Sequence, residues 1–170
     1  YSGPVTLSEN IILNDAGNIL FSSTVDGGYT LTIVNSGTGD ITFADAVGGT
    51  TSLTGLTITT DVLTAAAIKS TGTLSVTNAG TSSITGIISD GASALAVTKA
   101  GTGTLTLSGA NTYTGLTTIS AGALRAANNT ALGTTAGGVT VANGAALELS
   151  GGITIGAEAL TLNGTGISSG

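Results

Sequence analysis

The stretch Lys99-Ala100-Gly101-Thr102-Gly103-Thr104-Leu105-Thr106-Leu107-Ser108-Gly109 decides the fold. Two leucines flank a threonine, and glycines close the segment at both ends. Alternation of apolar and polar residues is the period-two pattern of a half-buried strand, and Gly marks the turns that bound it. Leu105 and Leu107 are expected to point inward, with Thr104 and Thr106 outward.

Outward from this segment the same unit recurs. It appears as Val5-Thr6-Leu7, Ile11-Ile12-Leu13, Ile19-Leu20-Phe21, Leu31-Thr32-Ile33, Ile41-Thr42-Phe43 and Leu56-Thr57-Ile58 in the first half. In the second half it appears as Leu74-Ser75-Val76, Leu95-Ala96-Val97, Val139-Thr140-Val141, Leu147-Glu148-Leu149, Ile153-Thr154-Ile155 and Leu160-Thr161-Leu162. Many are about ten residues apart, the mark of an array of similar units. Val62-Leu63-Thr64-Ala65-Ala66-Ala67-Ile68-Lys69 contains good helix formers, yet it sits between Thr-rich strand patterns and has no closing Gly until Gly72. Strand or loop is expected there.

Composition separates the all-β architectures. Of 170 residues 41% are hydrophobic, but only 3% are aromatic and 7% charged. Sandwiches and propellers usually carry large aromatic core residues, whereas a parallel β-helix fills a narrow interior with stacked Val, Ile, Leu and Ala. The expected fold is an all-β parallel β-helix, a β-solenoid running as one continuous unit over residues 1–170. Pro4 is the only proline, and no charge block interrupts the alternation. At ~20 residues per coil the chain makes roughly eight coils, a rod about 40 Å long at the usual strand spacing. Positive hydropathy and many β-branched residues separate the chain from Gly/Ser/Thr-rich disorder.

The charge balance excludes several functions. Nine acids stand against three bases, Lys69, Lys99 and Arg125, for a net charge of -6. No basic stripe is available for phosphates, so nucleic acid is not an expected partner. There is no Cys and no His, which removes disulfides, thiolate metal sites and the commonest general base. No apolar run is long enough for a membrane helix, and three Tyr with two Phe cannot supply barrel girdles. Membrane insertion is not expected. The sequence opens on Tyr1 rather than Met, and a secretory leader removed before this point is compatible with export. With so few charges and no His, stability is expected to vary little between pH 5 and 8.

The stretch from Lys99 through Asn111-Thr112-Tyr113-Thr114-Gly115, Thr117-Thr118-Ile119-Ser120-Ala121-Gly122-Ala123-Leu124 and on to Ala131-Leu132-Gly133 closely resembles the passenger-associated transport repeat of bacterial autotransporters. A second similarity, to filamentous-haemagglutinin-like surface adhesins, covers Gly17 to about Thr59, through Gly39-Asp40-Ile41-Thr42-Phe43 and Val47-Gly48-Gly49-Thr50-Thr51-Ser52-Leu53-Thr54-Gly55-Leu56. The resemblance implies a right-handed parallel β-helix, export to the bacterial cell surface or beyond, and work as stalk, adhesin or secretion-promoting module. It implies no catalytic residues. Within the repeat, Gly109 and Gly115 are expected to relieve turns, Asn111 to stack on an Asn of a neighbouring coil, and Tyr113 to pack at a turn.

Other chemistry is weaker. Asp40 and Asp45 flank one strand, the arrangement a glycosidase acid pair would need, but both positions suit carboxylates that bond their own backbone at turns. Asp26-Gly27-Gly28 and Asp90-Gly91 lack the spacing of calcium-binding repeats or EF-hands. Gly101-Thr102-Gly103 has no Lys-Ser/Thr pair or helix behind it to make a phosphate loop. The sequons at Asn128 and Asn163 matter only in a eukaryotic secretory route. The Thr pairs Thr30 and Thr32, Thr57 and Thr59, Thr104 and Thr106 invite an ice-binding reading. That reading needs the pairs on one face of successive coils, and Ser75, Ala96 and Glu148 stand at comparable outward positions, so Thr is taken as the uncharged strand former. No catalytic, cofactor-binding or metal-binding residue is therefore assigned, and no cofactor is expected. The expected role is a structural or adhesive surface rod, with glycans or further coils as partners. The alternative is a self-assembling filament subunit, joined end to end through its terminal coils; only Pro4 and Glu9 guard the first edge, and residues 160–170 carry no charge.

Overall fold

In a computed structural model, which describes residues 1–164, the chain winds as a three-sided parallel β-solenoid. The first face holds β2 (Ile11–Asp15), β5 (Thr30–Asn35), β7 (Leu53–Thr60), β9 (Ile68–Asn78), β12 (Ala96–Ala100), β14 (Thr117–Ile119), β16 (Val139–Val141) and β18 (Leu160–Leu162), stacked in that order. The second face stacks β3 (Ile19–Phe21), β6 (Ile41–Phe43), β8 (Leu63–Ala65), β10 (Thr81–Ile84), β13 (Thr104–Leu107), β15 (Gly122–Ala126) and β17 (Ala145–Leu149). The third face is thinner. There β1 (Val5–Thr6) pairs with β4 (Val25–Asp26), single bridges link Val25 to Val47 and Val47 to Ile68, and β11 (Ile88–Asp90) pairs with the start of β9.

Every strand pair is parallel, so each coil must travel around the other two faces before it meets its partner. From Thr57 to its partner Ser75 the chain travels 18 residues, and from Thr32 to Thr57 it travels 25. The expected ~20 residues per coil and roughly eight coils agree with eight first-face strands. The Val62 to Lys69 stretch is strand and turn, as β8 and the start of β9. Ile153-Thr154-Ile155, expected as a strand, forms none.

Register turns the alternating sequence into ladders. On the first face one interior column runs Ile11, Leu31, Leu56, Leu74, Val97, Thr117, Val139, Leu160, and a second runs Leu13, Ile33, Ile58, Val76, Lys99, Ile119, Val141, Leu162. Sixteen interior positions thus contain two polar residues, Thr117 and Lys99. On the second face Phe21 stacks on Phe43 with ring centroids 4.9 Å apart, and Tyr1 covers Phe21 at 4.8 Å. Ala65 follows Phe43 in that column, a small residue after two large ones. Complete burial of such side chains contributes about 1.5–3 kcal/mol each, the main source of stability in a chain with so few charges.

Candidate functional site

The two polar intrusions into the aliphatic columns lie in adjacent coils, and both belong to the segment whose sequence stood out. Leu105 and Leu107 are fully buried and Thr104 and Thr106 half-buried on the outer side, as the alternation predicts.

Lys99 has no exposed surface. Its place follows from parity: in β12 Val97 faces inward, so Lys99, two residues later, must as well. The stem runs between Val76 and Ile119, and the ammonium donates to the carbonyls of Ala100 (2.7 Å), Gly101 (2.9 Å) and Ala121 (3.3 Å). In the coils before it this corner is served by shorter donors. Asn35 Nδ2 donates to Gly17 O, Thr60 Oγ1 to Gly39 O, and Asn78 Nδ2 to Gly80 O and Thr104 O. The next coil has Gly101 here, with φ at 77°, and a Cβ on it would collide with the backbone carbonyl of Asn78. No side chain fits, and the Lys99 ammonium reaches the corner from the neighbouring column instead. Burial pulls that ammonium down to about 8.

Thr117 interrupts the other column, between Val97 and Val139, and its hydroxyl lies 2.8 Å from the Tyr113 hydroxyl. Tyr113 is wholly buried in the extended connection along the third face, just ahead of the bend at Gly115 rather than at a turn itself. Burial raises the phenol far above its ordinary value, against the lowering effect of the Thr117 bond. The two hydroxyls satisfy each other, so Tyr113→Phe should cost about 1 kcal/mol by orphaning Thr117. Adding Thr117→Val should recover most of that loss, since replacing both partners with apolar groups of the same shape is nearly neutral. Urea titration of both variants checks this.

Asn111 does not stack on another Asn, contrary to expectation. Its Oδ1 accepts from Ile88 N at 2.8 Å in the coil on one side, and its Nδ2 donates to Ala131 O at 2.7 Å on the other. The third face has lost regular strand pairing there, and one carboxamide supplies the backbone bonds that a strand would have made. Asn111→Ala should therefore cost about 2–4 kcal/mol, for two buried backbone groups left unpaired, with the fall in the urea midpoint as the readout.

Asp90 ties the same region together. Its Oδ1 accepts from Leu95 N (2.7 Å) and Thr114 N (3.1 Å), and its Oδ2 from the Thr114 hydroxyl (2.7 Å). Burial alone would raise this carboxyl, but the three bonds outweigh it and hold it below the ordinary range. Asp26 likewise accepts from Thr50 N and Thr51 N, and Asp45 from Ala46 N. At Asp40 the backbone is what bonds: its N–H donates to Asn18 Oδ1 and its carbonyl accepts from Ile19 N. Gly109 and Gly115 have ordinary negative-side φ and relieve crowding rather than a left-handed turn, for a Cβ would strike the carbonyls of Gly86 and Leu95 in the adjacent coil.

Buried polar residues thus knit coils together along the rod, with Asn35, Thr60, Ser70, Asn78 and Ser82 ahead of β12 and Lys99, Asn111 and Thr117 between β12 and β15. Residues 97–126 match the family model of the passenger-associated-transport-repeat. The matched span covers about one and a half windings of the solenoid, from β12 through β13 and the third face to β14 and β15, and the same ladders pass through it on both faces without a break. No curated protein and no solved structure matches the chain. Lys99, which the sequence showed only as one base among three, is the passenger repeat's main interior polar group; the inward parity of Val97-Thr98-Lys99 was the available signal.

Proposed function

We propose that this chain is a rod-forming, non-catalytic passenger segment of an exported bacterial surface protein, serving as stalk or adhesive shaft. The observation that carries the reading is that the passenger repeat, residues 97–126, lies within an uninterrupted parallel solenoid and follows its winding. Continuous backbone pairing along the axis makes such a rod stiff, and a nearly charge-free exterior suits contact with uncharged partners such as glycans. Protease shaving of intact cells that produce the protein tests it. Loss of the chain while cytoplasmic markers survive is the expected result; full protection until the cells are lysed would overturn it.

A second reading, end-to-end assembly into a filament, is favoured by the terminal coils. A 210 Å³ cavity lined by Val5, Leu7, Ile11, Leu13 and Phe21 opens at one end, and a 470 Å³ cavity lined by Val141, Leu147, Leu149, Leu160 and Leu162 opens at the other. Further coils of a longer chain would cover these surfaces equally well. Electron microscopy of the purified protein separates the readings: uniform fibres favour assembly, short rods a passenger segment.

A further inference from the structure

The register overturns the reason for setting ice binding aside. On the first face exposed Ile12 heads the outward rank, and after it Thr32, Thr57, Ser75, Thr98, Thr118, Thr140 and Thr161 are partners in succession. One hydroxyl per coil therefore forms an unbroken rank over seven coils, and Ser75 continues the rank rather than interrupting it. Ala96 stands in a flanking rank with Thr30, Gly55 and Thr73. Glu148 is on the other face altogether.

Two observations distinguish this face from Thr serving merely as a strand former. The second face provides the first, as an internal comparison. Its outward rank runs Leu20, Thr42, Thr64, Ser83, Thr106 and then Arg125 and Glu148, which form an ion pair at 2.8 Å. Strand propensity acts equally on both faces, yet only the first keeps hydroxyls to its far end. The second observation is charge: neither the central rank nor the flanking ranks through Thr30 and Val34 contain an Asp, Glu, Lys or Arg. As with the outward hydroxyls of the second face, none of the seven bonds to another described protein atom, whereas threonines and serines at the corners, such as Thr60, Ser70 and Ser82, do, so the rank is free to bond outward. All seven are half-exposed or exposed.

A ligand for such a surface must be extended, uncharged, periodic, and able both to give and to take hydrogen bonds, as a hydroxyl does. We infer that the first face binds the surface of ice. Hydroxyls repeat every ~4.8 Å along the rod, close to a repeat of oxygen atoms in the ice lattice, with the threonine methyls filling the spaces between them. The solenoid holds the rank rigid before contact, so little ordering cost opposes binding. A crystalline neutral polysaccharide is periodic too, but the three ranks offer no aromatic ring for sugars to stack on. This inference does not depend on the passenger reading.

The test is partition of the whole chain into slowly grown polycrystalline ice, with Thr98→Lys in the middle of the rank and Thr64→Lys on the second face as control. Circular dichroism confirms folding of each. Wild type and Thr64→Lys should be incorporated into the ice, and Thr98→Lys should be taken up at least tenfold less. Exclusion of the wild-type protein from ice overturns the inference, as does equal uptake of both lysine variants. Co-sedimentation with crystalline cellulose by a protein that ice excludes would assign the face to a polysaccharide instead.

Discussion

Gly122→Val is expected to destabilise the protein by on the order of 4 kcal/mol, through left-handed strain together with overpacking, enough to leave a marginal rod largely unfolded. Gly122 opens β15 with φ at 64°, and a Cβ there would collide with the carbonyl oxygens of Gly103 and Gly101 in the coil beneath. A β-branched residue is the worst candidate for that conformation. Gly144→Ala supplies the calibration: its φ is 78°, but nothing lies within 4 Å of the added carbon. It should cost only the conformational part, about 1–2 kcal/mol. Thermal melts of the two variants give the difference, which measures how tightly successive coils approach at the corner. Equal losses would mean that the coils stack less closely than described.

The second large effect belongs to Lys99. Lys99→Ala leaves three corner carbonyls without their donor and a void between Val76 and Ile119, for an expected loss of about 3–5 kcal/mol. Lys99→Met keeps the stem and removes the charge, so it should lose much less. The two differ from wild type in pH dependence as well. The folded state lowers the lysine from 10.5 to about 8, so between those values the unfolded chain binds more protons. Wild-type stability should therefore rise with pH across that window and be lowest, as far as Lys99 is concerned, below it. Both variants should lack this rise. Denaturant titrations at pH 7.5, 9 and 10.5 check it, and a rise that persists in Lys99→Met would assign the effect to another group. Asp90 acts at the other extreme, its contribution being lost only as pH falls through its lowered value.

How much of this was legible in the sequence can be followed residue by residue. Leu105-Thr106-Leu107 and its relatives showed the strands because each has two large aliphatic residues facing inward. The strands passed over were those with a small or polar inward residue, Ser82 in β10 and Thr117 in β14, and the short third-face strands β4 and β11, whereas β1 was read as Val5-Thr6-Leu7. Ser82 accepts from Leu63 N and Thr117 pairs with Tyr113, so tertiary partners make acceptable what local alternation alone would reject. Asn111 was noticed, but its bonds were not, because a residue that spans two coils has partners about twenty positions away in both directions. The hydroxyl rank was discounted for the same reason. Coils of 18 to 25 residues hide a perfect register behind uneven spacing, and only the pairing shows that Ser75 lies between Thr57 and Thr98.

The measurement that tests the account most directly is pulsed electron–electron spin resonance between labels placed along the hydroxyl rank. The chain contains no cysteine, so paired cysteines at Thr57 and Thr140, Thr32 and Thr140, and Thr32 and Thr161 place the labels without background. Those positions are four, five and six coils apart in register. Distances should increase by ~4.8 Å per coil, reaching about 29 Å for the last pair. Distances that do not grow by one strand spacing per coil would contradict the parallel solenoid and everything built on its register.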